Sequence, residues 1–439
     1  MLQGTDRSSR GRSHYGADHG VLVHELEIGS LSIRAEMAAP LVDGDAKGSW
    51  WRGYIEGRRP RAVNASGGRL RVVDLFCGCG GLANGIAHLC DEMGVAFVSE
   101  LAADEDEHAT AVYAANHGTR LRAHESIRHL VDYGVRLTPD GARFTYRPEI
   151  LDEDGDRAIR GADLLVAGPP CQGHSNLNNS TRRSDPRNSL YLTVPAIAVA
   201  AGTPICIIEN VPAIVRDRHR VVETAVDLFE ADGYHVACGV LSASEMGWPQ
   251  TRRRHFLIAR KDRPPIAIGD IAAVLIDEPR PLWWMIRDLE DAERDPILDQ
   301  PSELSAANRA RVEWLFRNDQ YDLALDIRPD SHRAGTTYMA VYGRLRKDQP
   351  APTITGGFMT PGRGRFTHPT RPRALTPREG ARLQGFPDTY RFTVDPCRPP
   401  TRSLLAKWIG SAVPMPLAYA AALSALGPGL PRAVTEAAQ

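Results

Sequence analysis

Four groups of residues have types and spacings that could do chemistry. The first is a glycine-rich run that begins at Asp74, and the second is a Pro-Pro-Cys run that ends at Cys171. A thiolate is a strong nucleophile, and two consecutive prolines give the Cys171 thiol a rigid backbone setting. The others are a Glu-Asn pair at Glu209 and a Gln-x-Arg-x-Arg run from Gln250 to Arg254. These types predict a nucleophile, a proton donor and cationic groups that stabilise negative charge.

The glycine-rich run lies where a strand is predicted to turn into a helix. It reads Asp74-Leu75-Phe76-Cys77-Gly78-Cys79-Gly80-Gly81-Leu82-Ala83. Glycines at such a turn let the backbone reverse sharply and let a cofactor approach the helix N-terminus. Asp104 follows the next predicted strand, where a carboxylate can accept hydrogen bonds from both hydroxyls of a ribose. The two features favour a binding site for an adenosine-containing cofactor, either NAD or S-adenosylmethionine (SAM). The alternative is a tight turn beside a solvated acidic loop, with no ligand.

The polar residues after the next strand predict acid and anion-stabilising groups. Glu209 ends an apolar strand, and partial desolvation raises the pKa of a carboxyl group toward the range of a proton donor. Capping of the following helix is the alternative role of Glu209. Alternation with period two predicts that Gln250, Arg252 and Arg254 share one face of the following strand and point to one place. A solvated basic edge is the alternative, above all for Arg253.

Short apolar runs alternate with helical patterns after residue 70. Strands buried on both faces are predicted at 70–76, 95–99, 163–167 and 205–208. Helices are predicted at 81–88, 107–116 and 221–231. This alternation predicts an α/β fold with a doubly wound, mostly parallel sheet, and the runs 235–241 and 255–259 predict an antiparallel edge hairpin. Loops that follow parallel strands meet at one crevice, so the groups above should lie together.

The chain has 439 residues, a formal net charge of −1, 42% hydrophobic residues and 24% charged residues. This composition indicates a globular protein of two or three domains and excludes disordered, collagenous and small disulfide-bonded proteins. Seven cysteines, an odd number without a signal-type N-terminus, favour reduced thiols and a cytoplasmic location. No membrane segment is predicted, because the longest apolar stretch contains Pro195 and Pro204, and no metal site is predicted.

Four segments are predicted along the chain. Residues 1–69 are expected to be partly flexible and to contain one hairpin. Residues 70–260 are expected to form the α/β domain, 261–403 a smaller irregular domain, and 404–439 a helix that returns to the α/β domain. Residues 331–407 carry fourteen Lys and Arg residues against four Asp and Glu residues. The neutral total therefore conceals a basic segment, which predicts a nucleic-acid surface or, alternatively, an irregular domain with solvated arginines.

Taken in order, these motifs resemble those of the DNA cytosine-5 methyltransferase family. The matching motifs lie at 76–81, 168–173, 185–190, 209–211, 250–254, 373–387 and 409–414. Seven motifs in one order leave chance little room, and the resemblance covers about 70–260 and 340–424. It implies a SAM-dependent methyltransferase with a Rossmann-like catalytic domain, and it makes the irregular block a target-recognition domain.

The resemblance implies transfer of a methyl group from SAM to C5 of a cytosine in a specific double-stranded DNA sequence. Cys171 would attack C6 of a flipped base, Glu209 would act at N3, Arg254 would contact O2, and Arg252 would steady a loop or a phosphate. The implied cofactor residues are Asp74, Phe76, Gly78, Gly80, Gly81, Leu82, Asp104, Glu105, Pro170, Ser411 and Val413. The expected DNA contacts are Gln172, Gly173, His174, Ser175, Arg182, Arg183, Gln250, Arg363 and Arg365.

Three positions depart from the family pattern. Ser411 stands where Asn is usual; we expect the shorter side chain to be tolerated, and a donor other than SAM is the alternative. Glu105 and Ser126 replace residues that commonly face adenine. The alternative functions are a tRNA cytosine-5 methyltransferase, against which the long irregular block argues, a regulatory DNA-binding homologue with weak catalysis, and an NAD oxidoreductase. A cognate restriction endonuclease or other defence-system proteins are candidate partners, and a monomer is expected.

Overall fold

The structure is a computed structural model, and it describes residues 11–64, 67–170, 190–330, 340–431 and 434. The chain forms two compact units. The first comprises 1–242, 253–276 and 415–439, and the second comprises 243–252 and 277–414. These divisions differ from the segments predicted from the sequence, because a short piece of chain before residue 253 and all of 404–414 belong to the second unit.

The N-terminal segment of the first unit is a four-stranded antiparallel sheet in the order β1-β2-β3-β4. Its elements are β1 (Arg12–Asp18), β2 (Val21–Ile28), β3 (Leu31–Ala38), β4 (Arg61–Ala62) and helix α1 (Ala46–Ile55). Alternate residues of β2 and β3 are buried, as the apolar alternation in the sequence indicates. The sheet is larger than the single hairpin predicted, because the polar strand β1 carries no such alternation.

A seven-stranded sheet forms the α/β part of the first unit. Its strands are β5 (Arg69–Leu75), β6 (Ala96–Ala103), β7 (Leu121–Ala123), β12 (Leu164–Ala167), β13 (Ile205–Asn210), β14 (His235–Ser242) and β15 (Arg253–Arg260). Their order is β14-β15-β13-β12-β5-β6-β7, and β15 is antiparallel to both of its neighbours while the other pairs are parallel. The prediction of an α/β fold with a mostly parallel sheet and an antiparallel hairpin is confirmed.

Helices of the first unit pack against this sheet. They are α2 (Gly81–Met93), α3 (Glu107–His117), α4 (Glu153–Arg160), α5 (Thr193–Ala201), α6 (Val221–Ala231), α7 (Ile268–Leu275) and the C-terminal helix (Met415–Leu426). Two short ladders, β8 (Val131–Asp132) with β11 (Glu149–Ile150) and β9 (Val135–Thr138) with β10 (Gly141–Phe144), lie between β7 and β12 in the chain. Strand residues such as Val73, Leu165 and Ile208 share one apolar core with Phe229 of α6.

Strand register aligns the carboxyl ends of the parallel strands. Leu75 of β5 pairs with Ala103 of β6 and with Ala167 of β12, and Ala167 pairs with Ile208 of β13. The residues that follow these strands therefore begin at one edge of the sheet, where open α/β sheets bind their ligands. This edge positions the candidate site.

The second unit has fewer regular elements. They include α8 (Leu282–Ile286), α9 (Ala306–Arg317) and the helices Pro377–Gln384 and Arg402–Ser411. The stretch Arg402–Leu426 is long and apolar enough to cross a membrane by composition alone. Its most apolar window is nevertheless 89% buried inside the protein, and core helices of soluble proteins pass the same test.

Gly85 lies where α2 meets the C-terminal helix. A Cβ at this position would lie 2.6 Å from Ala418 Cβ and 2.6 Å from the Met415 carbonyl oxygen. We expect Gly85→Ala to lower the free energy of unfolding by about 1–3 kcal/mol, because the added methyl group forces two packed helices apart.

The matched control is Gly269→Ala in α7, where an added Cβ would have no neighbour within 4 Å. Helix propensity should leave the stability of this variant unchanged or raise it by up to about 1 kcal/mol. Urea denaturation of both variants measures the difference. Equal stabilities would contradict the close packing of α2 and the C-terminal helix.

Candidate active site

The glycine-rich loop joins β5 to α2. Phe76 and Gly78 have φ angles of 55° and 51°, so the backbone enters the left-handed region twice within three residues. This conformation is uncommon for phenylalanine, and such strained residues occur preferentially at functional sites. The Gly78 N–H donates a hydrogen bond of 3.0 Å to the carboxylate of Asp104, which ties the loop to the end of β6.

Two carboxylates lie at this loop. Asp104 accepts hydrogen bonds from the backbone N–H groups of Gly78 and Asp106. Asp74 is fully buried, and within the part of the chain that the structure describes neither of its carboxylate oxygens has a hydrogen-bond partner. Burial, and after it the charge of Asp104, raises the pKa of Asp74 well above its usual range. A ligand that donates hydrogen bonds would satisfy these oxygens.

The two thiols of the loop are unsuited to nucleophilic chemistry. Cys77 and Cys79 are both buried. Burial raises the pKa of each thiol, and the charges of Asp74 and Asp104 raise the pKa of Cys77 further. The reactive form of cysteine is the thiolate, so this environment keeps both residues inert.

The turn after β12 lies beside Glu209 and the glycine-rich loop. A Cβ built at Gly168 would lie 3.5 Å from Glu209 Oε2, 3.9 Å from Leu82 Cδ1 and 4.0 Å from the Phe76 carbonyl oxygen. Residues from β5, α2, β12 and β13 therefore meet within van der Waals distance of one point. A side chain at Gly168 would fill part of this space.

Asn210 supports the turn that precedes Cys171. Its side-chain amide donates a 3.1 Å hydrogen bond to the Pro169 carbonyl, and its amide oxygen accepts from the Val211 N–H at 2.8 Å. Asn210 is buried, so these bonds hold the turn in a water-free setting. The Glu-Asn-Val motif contained this residue, but nothing in the local sequence showed what its amide would reach.

Glu209 and Arg254 form a nearly buried ion pair between β13 and β15. Arg254 Nε lies 2.7 Å from Glu209 Oε1, and the two side chains are 12% and 9% exposed. An adjacent guanidinium favours the charged form of a carboxylate, which opposes the effect of desolvation expected from the sequence. Two of the predicted catalytic residues are thus in direct contact.

Gln250 and Arg252 do not share a face with Arg254. Strand β15 begins only at Arg253, so the alternation predicted for this run does not extend back to Gln250. Gln250 is fully buried and donates to the Leu383 carbonyl and the Gln384 side chain. This amide is used inside the second unit, and its contact to DNA stays a prediction.

Arg252 is also an internal residue of the second unit. Its guanidinium donates hydrogen bonds to the carbonyl oxygens of Ile354, Gly410 and Ser411. These contacts fix the end of the helix Arg402–Ser411, and Val413 just beyond it is buried. Arg252 supports the segment that carries the predicted cofactor residues Ser411 and Val413.

The arginines expected to contact DNA differ in their surroundings. Arg365 donates to the carbonyls of Tyr321 and Arg344 and pairs with Asp322, and its contact to DNA stays a prediction. Arg363 is exposed, and no ion pair to it occurs among the described residues. Arg363 thus keeps a guanidinium that could reach a phosphate.

Acidic residues from earlier in the chain neutralise part of the positive excess counted over 331–407. The pairs are Asp288–Arg382, Asp291–Arg371 and Asp299–Arg378. The sequence count could not reveal this because each partner lies about eighty or more positions away. The basic surface is consequently smaller than the composition indicated.

Seven of the predicted site residues lie outside the described residues. They are Cys171, Gln172, Gly173, His174, Ser175, Arg182 and Arg183. Pro170 is the last described residue before this gap. Glu105, another predicted cofactor residue, is exposed.

Residues 70–426 match the family described as C-5 cytosine-specific DNA methylase. The chain belongs to this family. The type II methyltransferase M1.BsuMI of Bacillus subtilis is 38% identical over 360 residues, which are 81% of this chain and 80% of that protein. The type II methyltransferase M.DdeI of Desulfomicrobium norvegicum is 26% identical over 80% of this chain and 88% of that protein. The predicted enzyme class, DNA cytosine-5 methyltransferase, is confirmed.

Solved structures support the fold of this family member. The S. pombe Dnmt2 methyltransferase aligns with a TM-score of 0.52 at 19% identity over 81% of this chain and 97% of that one. The Entamoeba histolytica methyltransferase EhMeth also gives 0.52, at 14% identity, over 81% and 97% of the two chains. At such identities the likeness concerns the fold alone.

His117 supports the glycine-rich loop, although the sequence analysis did not single it out. It is the last residue of α3, and its ring is hydrogen-bonded to the Gly80 carbonyl. The ring also packs against Phe97 and Tyr113, with centroids 5.7 and 5.0 Å away. Burial lowers the pKa of His117 to about 4, so a neutral imidazole holds the start of α2 at neutral pH.

This low pKa predicts acid sensitivity. The ordinary pKa of histidine is 6.5, so between 6.5 and about 4 the unfolded chain binds a proton at His117 that the folded chain does not. Stability should therefore fall as the pH decreases through this range and should not depend on this titration above 6.5. We expect His117→Phe to reduce the loss by about 2 kcal/mol at about pH 5.

Urea midpoints near pH 5 and pH 7.5 measure this effect. His108→Gln, an exposed substitution in the same helix, is the control and should leave the acid loss as it is in the wild type. The same acid loss in His117→Phe and the wild type would show that His117 is not buried in its neutral form.

Proposed function

We propose that this enzyme transfers a methyl group from SAM to C5 of a cytosine in a specific double-stranded DNA sequence, through a covalent bond between Cys171 and C6. The observation that carries the proposal is the alignment of strand ends at one sheet edge. The glycine-rich loop, Asp104, the turn before Cys171 and the Glu209–Arg254 pair all follow or end these strands.

The loop residues fit SAM. The unpartnered buried oxygens of Asp74 suit a hydrogen-bond donor of the ligand, the Asp104 carboxylate suits ribose hydroxyls, and Phe76 and Leu82 offer apolar surface to adenine. When bound, SAM supplies an electrophilic methyl group to an activated C5. The remaining donor-site residues in the proposal are Gly78, Gly80, Gly81, Pro170, Ser411 and Val413. Glu105 is exposed, so we assign it no packing contact with the adenine ring.

The protein's own residues supply the activation. C5 of cytosine is a poor nucleophile, so the Cys171 thiolate first forms a bond to C6 and pushes electron density toward N3, O2 and C5. Negative charge develops toward N3 and O2. Glu209 protonates or hydrogen-bonds N3, and Arg254 contacts O2. After methylation, a water molecule or hydroxide ion accepts the C5 proton, the C5–H electron pair re-forms the C5–C6 double bond, and the thiolate leaves C6. Before the base arrives, the ion pair holds both side chains in place.

The role proposed for Arg252 changes with its contacts. Its bonds to three backbone carbonyls make it a positioning residue for the end of the helix Arg402–Ser411, in place of a contact to a loop or a phosphate. Arg363 stays a proposed phosphate contact. Because a paired cytosine is inaccessible inside a duplex, the base must flip out of the helix to reach Cys171.

The type II names of the relatives support a place in restriction–modification. A cognate endonuclease is therefore the proposed partner, and a cytoplasmic monomer is the proposed state. Bisulfite sequencing of DNA from cells expressing the chain tests the activity and reports the target sequence together. A single modified sequence is the expected result. A filter assay of methyl transfer to duplex DNA and to tRNA tests the tRNA alternative, which transfer to tRNA alone would favour.

Cys171→Ala should abolish methyl transfer and leave duplex DNA binding within about two-fold, because only the bond-forming thiolate is removed. Methyl transfer to a duplex that contains the target sequence measures turnover, and a gel-shift titration measures binding. The matched control is Cys397→Ala, which removes an exposed thiol and should retain full activity. Turnover by Cys171→Ala would overturn the covalent mechanism.

Glu209→Gln should lower kcat by roughly 10²–10⁴-fold with little change in the KM for DNA, because the amide keeps the shape but carries no charge or acidic proton. Single-turnover methyl transfer isolates the chemical step. Glu223→Gln, an exposed substitution in α6, is the matched control. A kcat within about three-fold of the wild type would rule out the proposed role of Glu209 at N3.

A further inference from the structure

Helix α2 continues directly from the glycine-rich loop. Gly80 is the N-cap of α2 and lies in the left-handed region, with φ 95° and ψ 28°. Because Gly80 belongs to both the loop and the helix cap, the position of α2 sets where the loop lies. One face of α2 carries three buried polar residues, Asn84, His88 and Glu92, four positions apart. Buried polar groups cost free energy unless other groups pair with them. The partners of this face therefore matter for the loop.

Glu92 is held by side chains from two other parts of the first unit. His24 Nδ1 lies 3.0 Å from Glu92 Oε1, and the Tyr419 hydroxyl donates to Oε2 at 2.5 Å. His88 Nε2 lies 3.3 Å from Oε1. Neither histidine nor Glu92 has an exposed side chain. His24 is fixed in turn by Ser13, whose Oγ lies 3.0 Å from Nε2.

The surroundings of Glu92 favour the carboxylate form of its side chain. Burial alone would raise the pKa of Glu92, but the hydrogen-bonded imidazole of His24, with the imidazole of His88 beside it, lowers this pKa below its usual range. The buried charge depends on the imidazole of His24, which belongs to β2. Breaking such a pair leaves an uncompensated charge in a dry environment, so α2 cannot shift away from β2 at low cost.

Helix α1 contacts the rest of the same face. The rings of Trp51 and Tyr54 lie 5.3 and 4.5 Å from the His88 ring, centroid to centroid. The Tyr54 hydroxyl faces the side chain of Asn84, which is in the first turn of α2. All three buried polar residues of α2 thus meet residues from the N-terminal sheet or α1.

We infer that the N-terminal module, defined as β1–β4 with α1, is a positioning element for the donor loop. The module precedes residue 70, where the family match begins. His24 and Tyr54 act through α2 and do not touch the donor. The inference rests on the proposed donor site, because a shift of the glycine-rich loop matters only if that loop binds SAM.

His24→Gln tests this inference in the full-length enzyme. We expect the KM for SAM and the calorimetric Kd for SAM to rise roughly ten-fold, because displacement of the loop weakens contacts to the donor. The kcat at saturating SAM and the KM for duplex DNA should stay within about two-fold of the wild type. A merely structural role of His24 would lower the melting temperature and leave the KM for SAM unchanged at 25 °C.

Two matched tyrosine variants test the inference in case His24→Gln does not fold. Tyr54→Phe removes a buried hydroxyl that faces α2, and Tyr234→Phe removes a buried hydroxyl that is bonded to the carbonyls of Ala198 and Thr203. Tyr54→Phe should raise the Kd for SAM about three-fold or more. Tyr234→Phe should lower stability and leave the Kd for SAM unchanged.

The outcomes separate this inference from the function on which it rests. A wild-type enzyme that shows no SAM binding by calorimetry would overturn the donor site itself. If the wild type binds SAM and both His24→Gln and Tyr54→Phe bind it equally well, the positioning role of the N-terminal module is overturned and the donor site stands.

Discussion

The aligned carboxyl ends of the parallel strands are the constraint on which the candidate site depends. Pairing of Leu75 with Ala103 and Ala167 brings three loops to one level, and pairing of Ala167 with Ile208 adds Glu209. A register slip of one residue would reverse the face to which every side chain of a strand points. The buried apolar residues on both faces of these strands oppose such a slip, so the core and the site are specified together.

The first unit uses buried carboxylates in three different ways. Asp74 has no partner in the described part of the chain, and its pKa is raised by burial, which leaves it able to receive a ligand. Glu209 forms a nearly buried ion pair with Arg254. Glu92 is surrounded by two histidines and a tyrosine, which commits it to holding α2 in place. The three carboxylates thus differ in the number and type of the groups that surround them.

The second unit relies on ion pairs where the first relies on a sheet. Arg382 pairs with two aspartates, and the buried Glu379 pairs with Arg373 and His368. Charge-assisted hydrogen bonds can fix irregular segments that have no ladder of backbone bonds. Arginines that look like a DNA surface in the sequence are therefore divided between internal structure and exposed positions such as Arg363.

The sequence by itself determined the strands and helices of the α/β domain, the glycine-rich loop and the order of motifs that indicated the family. These features are encoded by periodicity and short spacing, which are local. Only the tertiary structure decided that Arg254 pairs with Glu209, that Gln250 and Arg252 serve the second unit, and that His24 reaches Glu92. Each of those outcomes depends on a partner that is distant in the chain or on the residue at which a strand begins. Local sequence patterns encode neither the distant partner nor the start of the strand.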